Sequence, residues 1–241
     1  IAYDFSKPAS LYDATTGGSF VAADGAIARA EDLSGGSGHM TQGTSGYRPI
    51  RKVAAVNGLD AARFDGSNDY LTAGDVADLG ANPVTMMAIA SVTANGGLFV
   101  KSRADGISGR FGFYRDGTTT IFFTHTNSTG FGDIATAANS TAVRCHVGTS
   151  SRVAGSGAGT VRLEINGAAS TATYTDSGTS YDTSNEFLIG SYNTNTGAPG
   201  LSGYFLNGDV GECAKWSVLM NAAVKKRLDQ SRCRKWRLKT S

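Results

Sequence analysis

The sequence predicts an all-β fold, an antiparallel β-sandwich or jelly roll closed by one short C-terminal α-helix. Three observations carry that prediction. Apolar residues alternate with polar ones at period two in many short runs along the 241 residues, the pattern of half-buried strands. The runs are separated by clusters of Gly, Asn, Ser and Asp, with 32 Gly against 4 Pro. Charged residues make up only 17%, against about 25% in ordinary soluble domains, so the charge-rich surfaces of a helical bundle or coiled coil are missing. Apolar residues, at 40%, suffice for a self-supporting core and argue against disorder. No repeat, Pro-rich linker or abrupt change of composition interrupts the chain, so residues 1–241 read as a single domain. The first residue is Ile1 rather than Met, which reads as a fragment or a processed chain.

The elements follow in order. Residues 84–92 (VTMMAIASV) are apolar on both faces in the middle, as a strand at the centre of a packed sandwich should be. Phe111 and Phe113 alternate with Arg110, Gly112 and Tyr114, and Asp116-Gly117 supplies a hairpin turn into residues 119–124. Val143, Cys145 and Val147 alternate with Arg144 and His146. Val161, Leu163 and Ile165 alternate with Arg162 and Glu164, and Asn166-Gly167 turns the chain toward residues 170–174. Residues 187–190 and 210–218 form two further strands. The helix spans residues 221–236. Asn221 is a good N-cap, Val224, Leu228 and Trp236 recur at multiples of four, the stem of Arg232 fills the gap, and the last turns are cationic. This spacing predicts that Val224, Leu228 and Trp236 pack on the sandwich while Lys225, Lys226, Arg234 and Lys239 stay in water.

The net charge of +2 hides an asymmetry. Residues 225–239 hold eight Lys/Arg and one acid, leaving 14 bases against 19 acids elsewhere. Helical spacing and a scarcity of aromatics for base stacking favour a solvated helix face that complements the helix dipole over a nucleic-acid surface. No run approaches the roughly 18 apolar residues of a membrane span. Neither nucleic acid nor membrane is therefore an expected partner. The three cysteines, Cys145, Cys213 and Cys233, are odd in number with no close pair, which excludes a disulfide framework and a CxxC metal knuckle; Cys145 and Cys213 read as small buried hydrophobes. His39, His125 and His146 lie far apart, and no GxSxG or GxxxxGK[ST] motif occurs. Gly35-Gly36-Ser37-Gly38 neither follows an apolar strand nor opens a helix, so it is no phosphate cradle. In residues 64–71 (FDGSNDYL), Phe64 and Leu71 point to a core while Asp65, Asn68 and Asp69 cap a turn. Ca²⁺ ligation by those three side chains is the alternative, weakened by the lack of a bidentate Glu. No metal or other cofactor is expected.

Several of these segments resemble the laminin-G-like, or concanavalin A-like, jelly-roll modules of phage virion and bacterial surface proteins. Tyr3-Asp4-Phe5-Ser6-Lys7-Pro8 with Ser10-Leu11-Tyr12 is similar to the first strand of the phage type. Asp32-Leu33-Ser34-Gly35, with His39, Gln42 and Arg48-Pro49, resembles that family's "DLSG…H…Q…RP" stretch. Residues 63–71 (RFDGSNDYL) resemble its most recognisable motif, and Gly208-Asp209-Val210-Gly211-Glu212 with the helix up to Lys235-Trp236 matches its last strand and C-terminal helix. The resemblance spans nearly the whole chain. Lys215, Val218 and the basic helix depart from it.

The resemblance implies a non-enzymatic virion structural or attachment protein, a head decoration, fibre or tail-associated adhesin on the exposed particle surface, which binds host-surface polysaccharide. Other virion proteins would be its partners, and homo-oligomerisation stays open. A purely structural virion protein is one alternative. A glycan-cleaving enzyme of the same fold is another, for which Glu212 is the carboxylate of interest. Glucanases of the concanavalin-like fold carry an E-x-D-x-E type pattern on one strand, whereas residues 208–217 read GDVGECAKWS. Alternation places Glu212 with Val210, Ala214 and Trp216 and turns Asp209 to the opposite face, so the second acid of a retaining pair about 5 Å away is missing. Glu212 reads as structural. For glycan binding, an aromatic face plus amide or carboxylate groups on loops points to Tyr192, Asn193 and Asn195 in one segment and to Asn127, Phe131 and Asp133 in another.

Overall fold

A computed structural model describes residues 1–80, 82–101, 110–117, 119–125, 131–138, 142–151, 159–174, 184–193, 199–200 and 204–238, with backbone alone at 110, 123–125 and 131–138. Seventeen strands and two short 3₁₀ helices (Pro8–Ser10 and Ser45–Tyr47) precede one α-helix in the described residues. The first seven are β1 (Ala2–Asp4), β2 (Leu11–Tyr12), β3 (Arg29–Ala30), β4 (Met40–Thr41), β5 (Ile50–Val56), β6 (Leu59–Asp65) and β7 (Leu71–Thr72). Next come β8 (Val84–Val92), β9 (Gly96–Lys101), β10 (Arg110–Asp116), β11 (Thr119–His125) and β12 (Phe131–Ala138). The last five are β13 (Arg144–Ser150), β14 (Gly159–Ile165), β15 (Ala168–Tyr174), β16 (Phe187–Ile189) and β17 (Asn207–Trp216), followed by α1 (Ala222–Lys235).

Two antiparallel sheets result. One has eight strands in the order β15-β14-β13-β8-β17-β6-β5, with β1 added alongside β17. The other has nine in the order β12-β11-β10-β9-β16-β7-β4-β3-β2. Between them lie aromatic side chains at alternate strand positions: Phe64, Phe99, Phe111, Phe113, Phe122 and Phe187 are at most 1% exposed. Phe99 meets Phe187 at 4.6 Å and Phe113 meets Phe122 at 5.1 Å between ring centroids, offset geometries that aromatic quadrupoles favour. The predicted hairpins form where their turn residues stand, at Asp116-Gly117 between β10 and β11 and at Asn166-Gly167 between β14 and β15.

Strand β8 is apolar on both faces for a visible reason. Met86, Ala88 and Ala90 face the inter-sheet core, while Met87 and Ile89 face outward under α1, beside Cys145, Val147, Cys233 and Trp236. The helix starts at Asn221, whose side chain accepts from Val224 N at 2.9 Å. Trp236 is fully buried and Leu228 half-buried, as the spacing predicts, but Val224 is 44% exposed. A strict four-residue spacing advances about 40° beyond a full turn per step, so a stripe from 224 to 236 winds roughly 120° around the helix and cannot stay on one face. Lys225 is also not in water: its side chain pairs with Glu164 on β14, whereas Lys226 and Arg234 are exposed. Lys239 lies outside the described residues.

Candidate functional site

The outer face of the nine-stranded sheet is built from tyrosines. On β10, Phe111 and Phe113 take the inward positions, which turns Tyr114 outward. On the neighbouring strands Val100 and Leu188 point the same way, and with Tyr192 they form a small apolar floor that Tyr70, Tyr114 and Ile121 pack against. Tyr192 stands edge-on to Tyr114 at 5.4 Å and meets Tyr204 at 5.7 Å, while Tyr70 meets Tyr47 at 6.2 Å. Five of the chain's nine tyrosines thus share one surface. Its outer members are accessible, Tyr47 at 41% and Tyr204 at 37%. The rim is polar. Gln42 donates from Nε2 to Tyr70 O at 3.2 Å, and Arg48 donates from Nε to Gln42 O at 2.9 Å. Asn193, fully buried, donates from Nδ2 to Glu186 O at 2.9 Å, and its Oδ1 has no partner among the described residues. Rings with one bare face and hydroxyls at their edges can stack on the apolar face of a pyranose and bond its hydroxyls.

The sequence-predicted ligand residues fall unevenly around this face. Tyr192 belongs to it, but at 6% exposure it forms the floor rather than the contact layer. Asn193 is interior. Asn195 and Asn127 lie outside the described residues. Phe131 and Asp133, expected on a loop, are instead the start of β12, where Phe131 pairs with His125 and Asp133 with Phe123, so only residues 126–130 separate the strands. Tyr47, Tyr70 and Tyr204 were not predicted. They come from three separate segments, and only the sheet order brings them to Tyr192.

Glu212 sits on the opposite side of the molecule. A bulge at Gly211 breaks the alternation of β17, so Val210 faces the inter-sheet core while Glu212 faces outward with Ala214. The expected grouping of Glu212 with Val210 is therefore wrong by one position, and Asp209, opposite to Val210, shares the outer face. Neither carboxylate is free. Glu212 accepts from Trp236 Nε1 and Lys235 Nζ, each at 3.1 Å, and pairs with Arg232 Nε at 3.0 Å. Asp209 holds Arg63 in a bidentate pair at 2.8 and 2.9 Å. Gly211 has a packing reason: a Cβ there would lie 2.4 Å from the indole of Trp236.

The carboxylates of the polar motifs act as turn caps, whereas Asn68, expected to cap with Asp65 and Asp69, has its Oδ1 buried with no partner among the described residues. Asp65 Oδ1 accepts from Ser67 N at 2.7 Å and Asn68 N at 3.2 Å, and Asp69 Oδ2 accepts from Asp65 N at 3.1 Å. Burial, aided by the nearby Asp65 charge, pushes the Asp69 carboxyl up to about 7. Asp32 Oδ1 likewise accepts from Ala2 N and Ser34 N. His39 Nδ1 accepts from Asp32 N, and His146 is buried between the sheets, where desolvation brings it down to about 4. Lys215, where the sequence departs from the motifs it resembles, lies at one end of the sandwich. It donates to Ala77 O at 2.9 Å, beside Lys101, which is fully buried against Asp75 and Asp78.

No protein-family model matches this sequence, and no curated protein sequence matches it. Solved structures do. One described as HCR/D-Sa-GBL1/C is 12% identical, covering 86% of this chain and 52% of its own, with a TM-score of 0.51. A GH54 α-L-arabinofuranosidase soaked with a cyclic sulfate inhibitor is 12% identical over 85% of this chain and 50% of its own, at a TM-score of 0.48. Domains LG4-5 of the mouse laminin α1 chain are 16% identical over 67% of this chain and 44% of their own, at 0.43. This chain spans about half the length of the arabinofuranosidase it matches. The fold is an antiparallel jelly-roll β-sandwich, set by two stacked sheets and a C-terminal helix, and is similar to that of the first of these structures.

Proposed function

We propose that this jelly roll is a non-enzymatic attachment module whose tyrosine face takes glycans, carried on the surface of a phage or phage-like particle and directed at host polysaccharide. The observation that carries the glycan reading is the surface of Tyr47, Tyr70, Tyr114, Tyr192 and Tyr204, with partly bare rings at Tyr47 and Tyr204 and a polar rim. The virion setting rests on the sequence motifs alone. Support for a non-enzymatic role comes from Glu212 and Asp209, whose oxygens are engaged by Arg, Lys and Trp partners rather than held for an acid–base pair.

A glycan array tests the reading directly. The wild-type chain should retain polysaccharide ligands that the double variant Tyr47→Ala/Tyr204→Ala loses, with the melting temperature unchanged. Equal retention by both removes this face as the site. Absence of any ligand favours a purely structural role, and release of reducing ends from host polysaccharide by the wild type favours the enzyme.

A further inference from the structure

On the other face, α1 and β13 bring three metal-ligating side chains together. Cys145 lies on the outward side of β13 beside Val147, and Asp229 and Cys233 stand one helical turn apart on α1. The two sulfurs and a carboxylate oxygen of Asp229 all lie within 4.8 Å of one another. Cys233 Sγ donates to Asp229 Oδ1 at 3.5 Å. A tetrahedral zinc ion, with Zn–S near 2.3 Å and Zn–O near 2.1 Å, holds its ligand atoms roughly 3.4–3.8 Å apart, so closing the set takes shifts of about an ångström at most. We propose that Cys145, Asp229 and Cys233 bind a thiophilic divalent cation of the zinc class, which ties α1 to the eight-stranded sheet.

Three features favour a cation over a simple disulfide. Asp229 is the one acid among residues 225–239, and it is directed to the thiols. A disulfide would leave that placement without a role, whereas a cation uses all three groups. Two thiolates and a carboxylate around a dication leave a single negative charge, set in a sequence segment rich in Lys and Arg. Finally, a groove lined by Arg162, Glu164, Lys225, Lys226 and Asp229 reaches the half-buried Asp229, giving an entry path and room for water as fourth ligand.

The test uses the 241-residue chain, reduced and stripped of metal, titrated with Co²⁺ and then Zn²⁺. One Co²⁺ per chain should bind with a thiolate-to-cobalt charge-transfer absorption that one equivalent of Zn²⁺ bleaches, and Zn²⁺ should raise the melting temperature. Cys233→Ser should abolish the absorption, and Asp229→Asn should weaken Zn²⁺ binding by about tenfold or more. The metal-free Asp229→Asn variant should melt like the metal-free wild type, so a folding defect cannot mimic the loss. No charge-transfer band in the wild type overturns the proposal, as does a band that survives Cys233→Ser. A mass two hydrogens lower in the protein as isolated, with no metal bound, also overturns it by making the pair a disulfide.

Discussion

The chain finishes the two outer faces of its sandwich in opposite ways. Over the eight-stranded sheet it lays α1, sinks Trp236 to 0% exposure and ties Glu212 to Arg232, Lys235 and the indole. Over the nine-stranded sheet no α-helix lies among the described residues, and the surface ends in tyrosines left 37% and 41% accessible at Tyr204 and Tyr47. Burial and ion pairing use up the first face, so changes there should register in stability. The second face retains unspent ring surface, so changes at its outer tyrosines should register in binding.

The largest expected effect is at Trp236. Its replacement by Ala removes a fully buried indole and the bond to Glu212, a loss of about 3–5 kcal/mol. For a chain of this size that corresponds to a fall in melting temperature of roughly 10 °C. Lys226→Ala, on the exposed side of the same helix, should stay within about 0.5 kcal/mol. Equal effects would erase the distinction between the covered and solvated sides of α1. Glu212→Gln comes next. It keeps an acceptor for the indole but removes the charge opposite Arg232 and Lys235, whose heads are partly solvated, so denaturant titration should show a loss of about 1–2 kcal/mol.

A pH-dependent effect concerns the turn that leads to Tyr70. With Asp69 raised to about 7 in the fold against about 3.9 unfolded, the folded state holds its proton longer, so stability declines as pH rises between those values. Asp69→Asn should match the wild type near pH 4 and gain on it progressively toward pH 8. His146 has the opposite sign, with stability present above about 6.5 and lost as pH falls toward 4, and it cancels in the comparison of the two proteins. A constant difference across the range would show that Asp69 is not perturbed. The smallest stability change should come from Tyr47→Ala/Tyr204→Ala, near zero in melting temperature while glycan retention is lost. A clear drop in melting temperature would mean that these rings are structural and that the two faces do not differ in kind.

Local chemistry made much of the fold legible. A run apolar on both faces located β8, period-two alternation located β10, β13 and β14, Asp116-Gly117 and Asn166-Gly167 fixed two hairpins, and Asn221 marked the start of α1, because each signal lies within a few residues of what it determines. Legibility ended where one residue reset the phase or where distant segments met. The bulge at Gly211 moved Glu212 to the face opposite Val210, alongside Asp209, which alternation alone cannot anticipate. Tyr47, Tyr70 and Tyr204 each look like an ordinary loop aromatic until the order β9-β16-β7 places their segments side by side. Cys145 and Cys233 are 88 positions apart in the sequence and meet only because α1 folds back over β13.

The first and last elements converge on a single strand. β1 pairs with residues 212–214 of β17, Lys235 bridges Asp4 and Glu212, and Trp236 sits over Gly211. In mechanical language, tension applied between residues 1 and 238 enters through three rungs of sheet, passes along one short stretch of backbone and leaves through the indole socket. The tyrosine surface lies outside that load path. A tether pulling near the two ends would strain the helix side of the molecule first and leave the geometry of the other side undisturbed.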